Sequence, residues 1–164
     1  MSNRLSKMVN KINAGPTFMR SWLLTKLFCS QVKYANTTGI KITHIDHQQV
    51  EIELANKKKV RNHIGGVHAI AAALLAESAS GIVFGINLPD SQLPLLKSMK
   101  MDFLRRMQGA LKAKATLTTE QLAQMKAHDK GDFMVEVHIT DESGEEPITC
   151  LMHWAWVTKR SGSE

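Results

Sequence analysis

Apolar and polar residues are spaced along this chain in three different ways, and each spacing predicts a different kind of element. Residues 3 to 13 and 17 to 30 carry apolar side chains at helical intervals and are separated by Gly15-Pro16, a pair that ends helices. Two short helices are expected there. In the second, Phe18, Leu23, Leu24, Leu27 and Phe28 form one apolar stripe suited to packing on a sheet face or, alternatively, to docking on a membrane or a partner. From Gly39 the period becomes two. Ile40 and Ile42, then Val50, Ile52 and Leu54, alternate with polar residues on either side of Asp46-His47-Gln48, which is the pattern of a hairpin. Lys41, Thr43, Glu51 and Glu53 fall on its other face, which is expected to meet solvent.

Residues 66 to 86 follow neither period. Ala69 to Ala76 is apolar all the way round, and such a helix is normally buried on every side. At ~1.5 Å per residue it spans ~27 Å, enough to run the length of a small sheet. After a loop holding Pro89 and Pro94, strand patterns return at Met99, Met101 and Phe103 and, past Gly109, at Leu111, Ala113, Ala115 and Leu117. Residues 118 to 127 read as a short helix with a threonine cap. Phe133, Val135, Val137 and Ile139, the turn Asp141-Glu142-Ser143-Gly144, and the run from Ile148 to Val157 predict a last hairpin. The order is helices, two strands, one central buried helix and four strands, with residues 159 to 164 as a frayed tail. That is an α+β class with a curved, mostly antiparallel sheet wrapped around one long helix.

Composition narrows the partners. A length of 164 residues with 43% hydrophobic and 22% charged residues fits one globular domain. The formal charge of +6 favours an anionic partner, whether nucleic acid, phosphorylated ligand or acidic membrane surface. Aromatics are only 5%, and no basic stretch is interleaved with them, so single-strand stacking platforms are not expected. Nucleic-acid binding through the basic surface is a third alternative, although no nucleic-acid partner is the expectation. Cys29 and Cys150 have no Cys-x-x-Cys neighbour and are expected as free thiols in a reducing, cytoplasmic setting. No His or Cys spacing matches a zinc motif, so neither metal nor cofactor is expected. No stretch reaches the ~18 apolar residues of a membrane span. The first 45 residues hold seven Lys and Arg and no acid. That is the composition of an organelle transit peptide or, equally, of a basic amphipathic helix belonging to the fold.

The chemistry concentrates in RNHIGGVHAIAAALLAES, residues 61 to 78. Gly65-Gly66 leads into the apolar helix, whose free N–H groups and positive dipole end suit an anion or a polarised carbonyl oxygen. Asn62 and His68 sit at the same mouth and can hydrogen bond there, although a purely structural histidine fits the position too. Glu77 lies among Ala73, Leu74, Leu75 and Ala76. Burying its carboxylate is costly without a partner, and desolvation raises its pKa toward the range of a general base. A snorkelling or interface-paired glutamate is the structural alternative. His68 and Glu77 are nine residues apart, hence on opposite sides of one helix and ~13 Å apart along it. A site using both must be composite, and two-fold pairing of subunits creates two such sites.

The order Asn62, Gly65, His68 and Glu77, spaced three, three and nine residues apart, resembles the hotdog-fold thioesterases, particularly the phenylacetyl-CoA thioesterase-like branch. The resemblance covers residues 36 to 158, while residues 1 to 35 look like the N-terminal helices of a hotdog subgroup of unknown function. It implies a homodimer, or a tetramer of paired dimers, with acyl-CoA sites at the subunit interface. Glu77 would act as general base or nucleophile, the Ala69 N–H would polarise the thioester carbonyl, and Asn62 and His68 would orient substrate or water. Gly65, Gly66, Arg61, Ser78, Arg105 and Arg106 are the expected substrate-binding residues, with Lys57, Lys58 and Lys59 as further candidates for the CoA phosphates. The family often has His-Gly-Gly where this chain has His68-Ala69-Ile70, so Ile70 narrows the approach. The expected activity is acyl-CoA thioester hydrolysis. The alternative is a non-catalytic hotdog protein that holds an acyl-CoA or fatty-acyl ligand.

Overall fold

In the computed structural model, residues 3–159 are described. The N-terminal basic segment forms α1 (Arg4–Asn13), α2 (Thr17–Gln31) and α3 (Lys33–Thr38). Asn3 caps α1 by accepting the Ser6 N–H at 2.6 Å. Its amide also donates to the carbonyls of Gly85 and Leu88, at 2.7 and 2.6 Å, which fastens the start of the chain to its middle. The sequence pattern does not show α3, which straddles the boundary expected at residues 35 and 36. Gly39 ends it at φ +75°, a conformation that favours a residue without Cβ.

The hairpin follows as β1 (Lys41–Ile45) and β2 (Gln49–Leu54), then α4 (Ala69–Gly85), β3 (Gln92–Phe103), β4 (Leu111–Thr116), α5 (Thr119–Ala127), β5 (Gly131–Asp141) and β6 (Ile148–Thr158). Thr118 caps α5 in a reciprocal capping box with Gln121. The six strands form one antiparallel sheet in the order β1-β2-β4-β5-β6-β3. Helix α4 touches β2, β4, β5, β6 and β3 in turn, so the sheet curves around it. Ala72, Leu75, Ala76, Ala79 and Val83 are fully buried against Ile52, Ala113, Val135 and Met152 of the same core.

Two expectations change in detail. Pro94 belongs to β3 rather than to a loop, opposite Trp156 of β6. A residue without an N–H is tolerated there because β3 is an edge strand with hydrogen bonds on one side only. Helix α4 is not buried on every side either. Ile70 is 60% exposed, and Ala73, Glu77 and Gly81 are half-buried. Their spacing of three, four and four residues puts them on a single stripe, which the sheet of the same chain leaves open from Ile70 to Glu77 and closes at Gly81, where a Cβ would lie 3.1 Å from the Trp154 ring of β6.

The two sheet edges are treated differently. At β1, the Ser21 hydroxyl donates to the Ile42 carbonyl at 2.6 Å and the Ile42 N–H donates to Thr25 Oγ1 at 2.9 Å. Asn13 donates to the Ile45 carbonyl at 2.8 Å. The helices thereby stand in for a seventh strand. Leu24 is buried, and Leu27 and Phe28 pack on the core, but Phe18 of the predicted stripe is 83% exposed. Phe18 and Leu24 are six positions apart, which turns Phe18 about 120° away from the buried side of the helix. Val9, Leu24 and Ala35 of the basic segment lie in the hydrophobic core. Lys159 still donates to Ser91 at 2.8 Å, and residues 160–164 of the expected tail lie outside the described residues.

Replacing Ser21 by Ala and Thr25 by Val together leaves the Ile42 N–H and C=O without partners. Urea unfolding of the double variant is expected to show a loss of ~2 kcal/mol.

Candidate active site

The turn before α4 is organised by Asn62. Its Oδ1 accepts the N–H groups of Ile64 and Gly66, both at 3.1 Å, and its own N–H donates to the Gly66 carbonyl at 2.9 Å. Gly65 sits at φ +83°, in the left-handed region, and Gly66 is buried. Arg61 pairs with Val67 across the base of the turn, while its guanidinium donates to Asn56 Oδ1 at 3.1 Å and to the Asn56 carbonyl at 2.9 Å. Arg106 donates to the Ile64 carbonyl. In this arrangement Asn62, Arg61 and Arg106 hold the turn together.

The turn delivers His68 as the N-cap of α4. Its Nδ1 accepts the Ile70 N–H at 3.1 Å, so the neutral ring carries its proton on Nε2. The N–H of Ala69, first residue of the helix, meets no acceptor among the described residues. Beside it opens a cavity of about 450 Å³, lined among others by Tyr34, Thr37, Thr38, Lys59, Arg61, His68 and Ile70, with no carboxylate in its wall. Tyr34, Thr37 and Thr38 are site residues that the sequence pattern does not flag. The only signal for them is Gly39, which reads as a helix stop once α3 is known.

Glu77 lies ~13 Å further along α4, on the uncovered stripe. No hydrogen bond or ion pair reaches its carboxylate among the described residues, and burial pushes its pKa above the usual glutamate value. The neighbouring Ser78 points elsewhere: it is buried, and its hydroxyl has no partner. Asn62, Gly65, Gly66, His68 and Ala69 thus gather at one mouth, and Glu77 stays apart from them within the chain. No grouping of three or more His, Cys, Asp or Glu side chains that could hold a metal occurs among the described residues. No helix there is long and apolar enough to cross a membrane.

Arg105 is engaged elsewhere. Its guanidinium makes a two-pronged contact with Asp141, at 2.9 and 3.1 Å, and donates to Ser143 Oγ at 2.8 Å. Burial alone would raise the Asp141 pKa. The Arg105 guanidinium, the Ser143 hydroxyl and the N–H groups of Gln108 and Ser143 outweigh it and hold the carboxyl well below the usual carboxylate range. Its two charged nitrogens are satisfied inside the protein, which leaves little for an outside phosphate.

A six-stranded antiparallel sheet wrapped around one helix, with a glycine turn opening onto that helix's N-terminus, is the hotdog architecture of thioesterase-like proteins. The chain belongs to the family described as a domain of unknown function, DUF4442, whose profile matches residues 20–157. The fold is shared with a protein of unknown function from Pseudomonas aeruginosa described as a probable thioesterase, at a TM-score of 0.74 and 22% identity over 81% of this chain and 92% of that one. It is shared likewise with a thioesterase from Haemophilus influenzae, at 0.70 and 16% over 88% and 94%, and with a variant of a thioesterase enzyme from Staphylococcus aureus, at 0.66 and 17% over 76% and 98%. No curated protein matches the chain in sequence.

The Asp141 pair gives a pH-dependent expectation. A depressed carboxyl contributes stability that is complete above its unfolded pKa of ~3.9 and is lost as pH falls through and below that value. Arg105→Ala is expected to cost ~3 kcal/mol in urea unfolding at neutral pH. The gap from the parent should close below pH ~3.9.

Proposed function

We propose that this protein hydrolyses acyl-CoA thioesters at a site shared by two copies of the chain. The observation that carries this reading is Glu77: a half-buried, unpartnered carboxylate with a raised pKa, on the one stripe of α4 that its own sheet leaves open. Two features support the pairing. The β3 edge carries no seventh strand, and its helix-side residues Met99 and Phe103 are 46% and 48% exposed. Their cross-strand partners Met152 and Ile148 are buried in the core, so β3 and the open stripe of α4 present apolar surface on the same side of the sheet. A second copy laid against that side would bring its Glu77 toward the first copy's α4 mouth.

In this reading the thioester carbonyl lies against the free Ala69 N–H, at the positive end of α4. Glu77 of the other copy takes a proton from water as the resulting hydroxide adds to the carbonyl carbon. The oxyanion collapses, the C–S bond breaks, and the proton held by Glu77 passes to the departing thiolate. The products are a carboxylic acid and a free thiol. His68 presents Nε2–H toward substrate, and Lys59, which makes no ion pair among the described residues, offers a charge to a phosphate. Asn62 supports the mouth by shaping it rather than by touching substrate.

A second reading has its own observation. Ile70 stands 60% exposed beside the Ala69 N–H. A bulky side chain there favours a protein that binds acyl-CoA, or a fatty-acyl ligand, without turning it over.

Glu77→Gln separates these readings in one preparation. It should lower turnover of an acyl-CoA panel by ~10²-fold or more. A carboxyl whose pKa is raised by burial is less costly protonated, so above its pKa the charge opposes folding. The Gln variant is therefore expected to be at least as stable as the parent at neutral pH. Unchanged turnover would exclude Glu77 as the base, and CoA release absent from both proteins alongside tight acyl-CoA binding would favour the second reading. Light scattering on Met99→Glu checks the pairing, with a dimer mass expected for the parent and a monomer mass, with activity lost, for the variant.

A further inference from the structure

The outer face of α2 is left unused by everything above. It faces away from the core and lies at the β1 end of the sheet, across from the β3 edge. We propose that this face docks the protein on the surface of an anionic lipid bilayer.

Three observations point to that occupant. The first is exposed apolar surface of the right kind. Phe18 is 83% exposed and Trp22 58%, and the two are one helical turn apart, with Met19 exposed beside them. A tryptophan and a phenylalanine standing free on a helix at this spacing suit the boundary between headgroups and acyl chains. The second is charge. Residues 3–38 carry Arg4, Lys7, Lys11, Arg20, Lys26 and Lys33 and no acid, and among the described residues none of the six forms an ion pair. A segment that keeps its cations unneutralised complements a negatively charged surface. The third is the way the two features interlock. Lys26 Nζ lies 5.4 Å from the centre of the Trp22 ring, one turn further along the same face, so charge and apolar surface are presented together.

The face is held rigidly. The opposite side of α2 is tied to β1 through Ser21 and Thr25 and buries Leu24. Binding there would cost little ordering, and the helix would lie in the interface plane without spanning it.

The protein also carries a built-in reporter. Trp154 and Trp156 are 6% and 0% exposed, so any change in emission on adding vesicles comes from Trp22. The experiment is cosedimentation of the full chain with phosphatidylcholine vesicles, with and without phosphatidylglycerol, at low and high salt. Retention on the anionic vesicles should exceed that on the neutral ones by about tenfold or more and fall as salt rises. Trp22 emission should shift to the blue only with the anionic ones. Phe18→Glu and Lys26→Glu, both at exposed positions, should each abolish or strongly reduce retention while leaving the thermal unfolding of the protein unchanged. Trp22→Phe should keep binding and remove the spectral shift. Equal retention on both vesicle types, or undiminished binding by Phe18→Glu, would overturn the proposal. So would a mass that grows with protein concentration, reverts in Phe18→Glu and is accompanied by no vesicle binding, because that result assigns the face to a second copy.

Discussion

A helix that is apolar on every side has to be covered on every side, and a single curved sheet can cover only part of it. That constraint organises the rest of this structure. Five of the six strands touch α4, and the side chains they meet are small or aliphatic, so backbone and helix approach closely. At the C-terminal end the cover is aromatic: Phe84 stacks on Trp154 at 5.7 Å between centroids, and the Trp154 indole donates to Ser80 at 3.0 Å. The stripe from Ile70 to Glu77 is what remains. The one carboxylate of α4 lies within it, because nowhere else on the helix does a charge keep any access to water.

The same reasoning explains why the two edges of the sheet look so unlike each other. An edge strand exposes unpaired N–H and C=O groups, and a protein must fill them, blunt them or use them. At β1 they are filled by hydroxyl and amide groups of α1 and α2. At β3 the strand is long, at twelve residues, and carries exposed Leu93, Leu95, Met99 and Phe103. Pro94 and the charges Lys97, Lys100 and Asp102 blunt it in part. Within the shared-site reading, this edge is where a second copy would join.

Much of this was legible in the residues alone. The alternation of Val50, Ile52 and Leu54, and of Val135, Val137 and Ile139, predicts strands because period two leaves no other arrangement that buries one face. The alanine run predicts α4 for the converse reason. What escaped depends on contacts distant in sequence. Pro94 reads as a loop signal unless the strand is known to be an edge, which is a property of sheet order. Arg105 reads as a free cation because Asp141, 36 residues later, is joined to it only by folding. Asn62 reads as a ligand-facing amide because a sequence shows which residue occupies a turn but not which backbone groups that residue must satisfy. The nine-residue offset between His68 and Glu77 was legible for the opposite reason: helical geometry alone separates them, whatever the fold around the helix.

Ile70 shows how such local geometry and chemistry meet. Its aliphatic side chain stands 60% exposed at the mouth of the cavity. On a surface where a second copy or an acyl chain comes to rest, the same side chain is an apolar wall. Within the shared-site reading it stands beside the Ala69 N–H, so it covers the carbonyl and restricts how water can reach it. Excluding bulk water strengthens the hydrogen bond to a developing oxyanion. The cost is a narrower approach, which falls most heavily on substrates branched next to the thioester. Within that reading, Ile70 governs access to the Ala69 N–H as well as the water around it.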